Sequence, residues 1–294
     1  MKVGFIGLGI MGKPMSKNLL IAGYKLVVIG RNPAVTEEFI DLGATVVTTP
    51  REVVEGSDVV ITMLPNSPEV KEVVLGGNGL FAGASEGKVL IDMSSIAPLV
   101  SREVASKLKE KSMEMLDAPV SGGEPKAIDG TFAVMVGGKK EVFDRYYDVM
   151  KAMAGSVVYV GEIGAGNIAK LANQTIVAIN IAAVSEALVL AQKSGVNPEL
   201  VYQAIRGGLA GSTALDAKAP LMMDRDFDPG FRIDLHMKDL NNVLDTSHEV
   251  GVPLPLTASV FERMKALKVD GYDVEDHSSL VKYYEKLANI EVGR

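Results

Sequence analysis

The sequence predicts a doubly wound α/β domain followed by an all-α domain, the two joined by one long helix. Three observations predict this. The chain opens on an apolar strand that runs directly into Gly7-x-Gly9-x-x-Gly12 and then into a helix. Short apolar runs alternate with helical patterns through the first half, which is the signature of strands covered by helices. After Gly161-Glu-Ile-Gly-Ala-Gly166 strands stop and helical periodicity takes over.

Taken in order, Lys2–Ile6 is the first strand, and the three glycines after it each answer a geometric need. Gly7 allows the tight turn, Gly9 lets a pyrophosphate approach the backbone, and Gly12 lets the helix pack closely on the strand. The unpaired N–H groups of the following helix then face the phosphates, as in Rossmann-type dinucleotide sites. Further strands are expected at Lys25–Ile29, Thr45–Val47, Asp58–Leu64, Lys88–Met93 and Met113–Val120, apolar on both faces as parallel strands are. Two more, Thr131–Val136 and Ser156–Val160, read as antiparallel additions.

Asn167–Ser194 reads as a single helix, roughly 42 Å long at 1.5 Å per residue. It is apolar and small all round, which predicts burial on most sides and a role as a spine between domains. Helices follow from Pro198, over Asp234–Val250 up to Gly251 and Pro253, over Leu256–Val269 and over His277–Leu287. This organisation places a dinucleotide-binding domain at residues 1–163 and an all-helical domain at 164–294.

Composition narrows the function. With 294 residues the chain suits two domains, and 47% hydrophobic and 23% charged residues are ordinary globular usage. The formal charge of −7 argues against nucleic acid or an anionic membrane as partner, since both demand a basic footprint. The absence of cysteine excludes thiolate nucleophiles and cysteine-ligated metals. Three histidines outside any HExxH spacing offer no metal site. Lys13 and Pro14 interrupt the N-terminal apolar run, so no signal peptide is expected and the protein reads as cytoplasmic.

The second strand ends in Gly30-Arg31-Asn32-Pro33, where a carboxylate for the adenosine ribose would ordinarily stand. Arg31 can meet a 2′-phosphate bidentately, which favours NADP over NAD. An arginine merely stacked on adenine would tolerate both. Leu64, Pro65 and Ser95 lie at the carboxyl ends of later strands, where they are candidates for the nicotinamide half. Asp117-Ala-Pro-Val-Ser121-Gly122-Gly123 leaves a strand and turns sharply, presenting a hydroxyl and glycine N–H groups to a small carboxylate.

Lys170 lies early in the long helix among small apolar residues, with Asn173 and Gln174 on the same face. Desolvation there lowers an ammonium pKa and suits it to proton transfer; a lysine snorkelling to solvent is the plain alternative. Asp234 and Lys238, four apart, read equally as a surface ion pair or as part of a site. His236, His248 and His277 each lack a neighbouring constellation and read as structural or exposed.

Four ordered segments together resemble the β-hydroxyacid dehydrogenase family, which includes 3-hydroxyisobutyrate and 6-phosphogluconate dehydrogenases. They are GFIGLGIMGKPM, DAPVSGGEPKAIDGT, GAGNIAKLANQ and KDLNNVLD. The resemblance implies that Gly7, Leu8, Gly9, Ile10, Met11 and Gly12, with Arg31 and Asn32, hold NAD(P), with Leu64, Pro65, Ser95 and Lys238 beside it. It implies Lys170 as general acid/base, Ser121, Gly122 and Gly123 on the carboxylate of a small semialdehyde, and Asn173 assisting. It also implies a dimer or tetramer. The family's usual second asparagine after the lysine is Gln174 here, and its acidic residue at position 30 is a glycine.

Overall fold

The computed structural model describes residues 1–30 and 32–294. Tertiary contacts gather Met1–Lys170 into one compact unit and Leu171–Arg294 into another. The division falls inside the long helix Ala165–Lys193, so its opening residues belong with the sheet.

The first unit is built on β1 (Lys2–Ile6), β2 (Lys25–Ile29), β3 (Thr45–Val47), β4 (Val59–Thr62), β5 (Val89–Asp92), β6 (Glu114–Asp117), β7 (Val120–Ser121), β8 (Phe132–Gly138) and β9 (Ala154–Gly161). The strand order is β3-β2-β1-β4-β5-β6-β8-β7, with β9 on β8. Strands β1 to β6 pair in parallel, β8 runs against β6, and β9 is parallel to β8. The last two long strands therefore both oppose the first six, as expected.

One expected strand is two. Met113–Val120 breaks after Asp117, where Pro119 has no N–H to give a ladder: pairing with β5 ends there, while pairing with β8 resumes at Val120 in the same register. The break matters, because it turns Ser121 away from the parallel sheet.

Alternate residues feed separate cores on the two sheet faces. Val59, Ile61, Val89 and Ile91 join Val3 and Phe5 on one side, while Val60 and Leu90 join Val53 and Val74 on the other. Each such side chain, buried from water, contributes roughly 1.5–3 kcal/mol. Because β1 lies between β2 and β4, the chain reverses direction across the sheet at that point, which opens a crevice at the carboxyl ends of these strands.

The second unit is helical. Leu171, Ala178, Ile181, Leu188, Met222 and Leu240 are among its buried residues. Its helices include Pro198–Ile205, Thr213–Asp224, Ile233–Val250 and Pro255–Val269. The final expected helix begins instead as a 3₁₀ turn, His277–Leu280, before Val281–Ala288. The Thr213–Asp224 helix has a weak sequence signal because Pro220 lies within it, although Ser212 caps it through the Leu215 N–H.

The long helix is not buried all round. Ile168, Ala172, Ile176, Ala183, Glu186 and Leu190 are exposed, at a spacing that lines up one face. Ile176 and Leu190 keep 61% and 69% of their surface, so the even scatter of small apolar residues reported apolarity correctly and burial only in part.

Candidate active site

The turn after β1 has the shape a dinucleotide needs. Gly7 has φ +107°, and a Cβ there would meet the Met63 carbonyl oxygen at 2.1 Å. At Gly12 a Cβ would lie 1.8 Å from the Gly7 carbonyl oxygen, so the Gly12–Ile21 helix starts against the turn itself. Among the described residues, nothing lies within 4 Å of Gly9 on its side-chain side. Two glycines are thus required by the protein, and the third leaves open backbone for a ligand. Leu8 and Met11 are half-buried against the core, whereas Ile10 is exposed at the tip. These residues fit a dinucleotide pyrophosphate.

Beyond β2, a Cβ on Gly30 would lie 1.8 Å from Thr36 Oγ1, whose hydroxyl donates to the Asn32 carbonyl at 2.9 Å. Asn32 Oδ1 accepts the Ala34 N–H at 3.0 Å and caps the Pro33–Asp41 helix. Arg31 lies outside the described residues.

At the ends of β4 and β5, Thr62 Oγ1 donates to Asp92 Oδ1 at 2.8 Å, the Ser94 N–H donates to the same oxygen, and the Leu64 N–H donates to Ser94 Oγ at 2.9 Å. Leu64 and Ser95 are half-buried beside this chain of bonds, and Pro65 is exposed. Burial pushes the Asp92 carboxyl up to about 6 against those hydrogen bonds, and its Oδ2 has no partner among the described residues. Asp117 is its register partner on β6. There burial, opposed by the Asn167 and Gly164 N–H groups and reinforced by the charge of Asp92, pushes the carboxyl up to about 7. Both Asp117 oxygens accept helix-start N–H groups, from Gly164 and Asn167, each at 2.7 Å. Both carboxyls therefore ionise with difficulty in this buried site, and the helix-start N–H groups favour the ionised form of Asp117 against that burial. Sequence reading passed over these carboxylates; the available signal was an aspartate ending each of two buried apolar runs.

Ser121 closes β7, paired with Ala133. Gly122 and Gly123 follow with φ +153° and +72°, and a Cβ on Gly122 would strike Lys126 and Phe132. Both positions thus need glycine for their backbone conformation, and Gly122 needs it for space as well. Lys170 is buried, with 7% of its surface exposed, which agrees with the expected desolvated setting rather than with a lysine reaching into solvent.

In the helical unit, Asn173 Nδ2 donates to Gln174 Oε1 at 2.8 Å, and Gln174 Nε2 donates to Asp239 Oδ2 at 2.6 Å. Lys238 pairs with Asp239 Oδ1 at 2.7 Å. A carboxylate only accepts, so Asp239 sets the direction of the Gln174 amide and, through it, that of Asn173. Gln174 thereby links Asn173 to Asp239. Asp234 pairs with Arg232.

The histidine reading also needs correction. His236 and His277 are buried with their Nδ1 atoms 2.9 Å apart, and His236 Nε2 lies 3.3 Å from the Gln174 carbonyl oxygen. One assignment satisfies all three atoms: His277 donates from Nδ1, and His236 carries its proton on Nε2 for Gln174. The pair therefore braces the backbone of the residue that orients Asn173. Forty-one positions separate the two rings along the chain, so no local pattern announced them.

A dinucleotide-binding α/β unit with a buried lysine after its last strand, followed by a helical unit, defines a nicotinamide-dependent oxidoreductase. Residues 2–161 match the NAD binding domain of 6-phosphogluconate dehydrogenase, and residues 164–284 match the NAD-binding domain of NADP-dependent 3-hydroxyisobutyrate dehydrogenase. The 2-hydroxy-3-oxopropionate reductase of Escherichia coli is 45% identical, over 98% of this chain and 99% of that one. The mitochondrial 3-hydroxyisobutyrate dehydrogenase of Bos taurus is 35% identical, over 96% and 86%. Among solved structures, Mycobacterium tuberculosis 3-hydroxyisobutyrate dehydrogenase with L-serine superposes with a TM-score of 0.89 at 32% identity, covering 96% and 98% of the two chains. The chain belongs to the β-hydroxyacid dehydrogenase family. It is an oxidoreductase of that family, acting on a CH–OH group, and carries NAD(P)-binding domains.

Proposed function

We propose that the protein reduces tartronate semialdehyde (2-hydroxy-3-oxopropanoate) to D-glycerate, reversibly, with NADPH preferred over NADH. The observation that carries this reading is 45% identity, over nearly the whole of both chains, with a 2-hydroxy-3-oxopropionate reductase. The stretches TMLPNSPEVKEVVLGGNGL, IDMSSIAPL and QAIRGGLAGSTALDAKAP resemble that reductase. Such a substrate belongs to the breakdown of glyoxylate and aldarates. The short loop at Ser121–Gly123 suits a small acid better than a phosphorylated sugar acid, because it carries no arginine.

In this reading the Ser121 hydroxyl and the N–H groups of Gly122 and Gly123 hold the substrate carboxylate. That fixes the aldehyde carbon for attack, the positioning part of catalysis. When bound, the reduced nicotinamide supplies the hydride. Lys170 gives a proton to the oxygen that becomes the alcohol, a step contributing typically about 10²–10⁴-fold. Asn173, directed by Gln174 and Asp239, assists at the substrate, and Lys238 stands on the cofactor side. Arg31 supports the NADPH preference by matching a 2′-phosphate. The exposed stripe Ile168, Ile176 and Leu190 supports a homo-oligomer, in which a second copy covers it. The acidic charge supports a cytoplasmic enzyme without nucleic-acid or membrane partners.

A second reading keeps the chemistry and changes the substrate to 3-hydroxyisobutyrate, succinic semialdehyde or glyoxylate; the 35% identity with the Bos taurus enzyme favours the first of these. Reduction of a semialdehyde panel with NADPH and NADH in parallel decides between them. The proposal expects tartronate semialdehyde to have the highest kcat/KM, Lys170→Ala to lower kcat by about 10²–10⁴-fold while still binding coenzyme, and Arg31→Asp to move the preference toward NADH. Full activity in the Lys170 variant sinks the proton-donor role, and an unchanged coenzyme ratio sinks the role of Arg31. Turnover of no small semialdehyde would point to a noncatalytic cofactor-binding module.

A further inference from the structure

We propose that Asp117 is a positioning residue for Lys170: its carboxylate seats the first turn of the Ala165–Lys193 helix and so fixes where the lysine stands relative to the Ser121–Gly123 loop. The inference rests on Lys170 being the proton donor. Asp117 ends β6, four residues before Ser121, and its two oxygens take the Gly164 and Asn167 N–H groups at 2.7 Å each. A helix start leaves such groups unsatisfied, and here a side chain from a strand about fifty positions earlier supplies both bonds.

The surroundings are shaped for that carboxylate. A Cβ on Gly137 would lie 2.4 Å from Asp117 Oδ1 and 2.7 Å from the Gly166 nitrogen. A Cβ on Gly166 would lie 2.4 Å from the Asp117 carbonyl oxygen and 3.0 Å from Oδ2. Gly164 has φ +92°, which aims its N–H inward. Gly137 and Gly166 are therefore explained in part by the close approach of Asp117, and the start of this helix is already occupied by the protein's own carboxyl group.

A second tether ties the same turn to the nicotinamide side. Asn167, fully buried, accepts the Ile96 N–H at 3.1 Å and donates to Ser101 Oγ at 3.0 Å. Ile96 directly follows Ser95. Lys170 is three residues beyond Asn167, less than one turn, so any shift of the seated turn passes to its side chain. A misplacement of about 1 Å in a catalytic group can cost on the order of 100-fold.

The test compares Asp117→Asn, which opposes an amide N–H to one helix N–H, with Asn167→Ala, which keeps the seat and removes the second tether. The expected result is a fall in kcat of about 10- to 100-fold for Asp117→Asn and a smaller fall for Asn167→Ala. Coenzyme Kd, by NADPH fluorescence, should stay within twofold. The pH dependence of Lys170 acetylation by acetic anhydride, read by mass spectrometry, should shift by about half a pH unit or more for Asp117→Asn. An unchanged kcat and labelling profile overturns the proposal, as does a loss of kcat that only tracks the folded fraction by circular dichroism. If Asp117→Asn does not fold, Asn167→Ala decides by the same criteria. Labelling needs no substrate, so it tests the inference even if no semialdehyde is turned over, a result that would instead count against the proposed activity.

Discussion

Gly9→Ala and Gly12→Ala should separate what the glycine turn does for the cofactor from what it does for the fold. At Gly12 the added methyl lies 1.8 Å from the Gly7 carbonyl oxygen, a backbone atom that cannot swing aside. Overpacking of this kind costs about 1–3 kcal/mol or more, which lowers Tm by roughly 2–4 °C per kcal/mol for a unit of this size. At Gly9 the methyl meets nothing within 4 Å among the described residues, and its φ is not positive, so alanine needs no strained backbone. Restricting the unfolded chain there should leave Tm unchanged or raise it slightly, by up to about 1 kcal/mol of stability. The same methyl would stand where the pyrophosphate has to approach. A clash of about 1–3 kcal/mol raises the coenzyme Kd about 5- to 150-fold. Differential scanning fluorimetry without coenzyme and fluorescence titration with NADPH measure the two effects. Gly9→Ala binding coenzyme as tightly as the wild type would refute the reasoning, because the open face of the turn would then not be the pyrophosphate face.

Asp92→Asn tests the buried carboxyl pair. Burial raises the folded pKa of Asp92 from 3.8 to about 6, so ionisation is disfavoured in the fold: wild-type stability is full below about pH 4 and lost as pH rises toward 6. That rise corresponds to at most about 3 kcal/mol, so the Tm difference should move in the variant's favour by up to roughly 6–12 °C between pH 4 and pH 7. A difference that stays constant with pH would show that Asp92 does not carry this cost. Gln174→Leu breaks the link from Asp239 to Asn173 and should lower kcat/KM by about 5- to 150-fold, as loss of a buried bond worth about 1–3 kcal/mol does, with coenzyme Kd unchanged. Wild-type kcat/KM in that variant would remove Gln174 from the site.

The sheet was readable in the sequence because its strands are short, apolar on both faces and closed by turn residues, a pattern few other structures produce. Its faults came where chemistry interrupts periodicity: Pro119 split one run into two strands, and the composition of the long helix concealed an exposed face. The cofactor turn was legible because it is local. Asp117 with Asn167, Gln174 with Asp239, and His236 with His277 were not, because their partners lie 41 to 65 positions apart and meet only through the fold. Lys170 stands between these cases. Its setting could be read from neighbouring small residues, but the carboxylate that seats its helix could not.

The contact between positions 30 and 36 has a consequence for how coenzyme preference can change over time. Because a side chain at Gly30 would run into the Thr36 hydroxyl, which is itself engaged by Asn32, a carboxylate cannot arrive there by one replacement without disturbing the helix that follows. A lineage or a designer seeking an acidic ribose partner would have to alter position 36 first, or place the acid elsewhere. The order of mutations at position 30 is thereby constrained by one threonine.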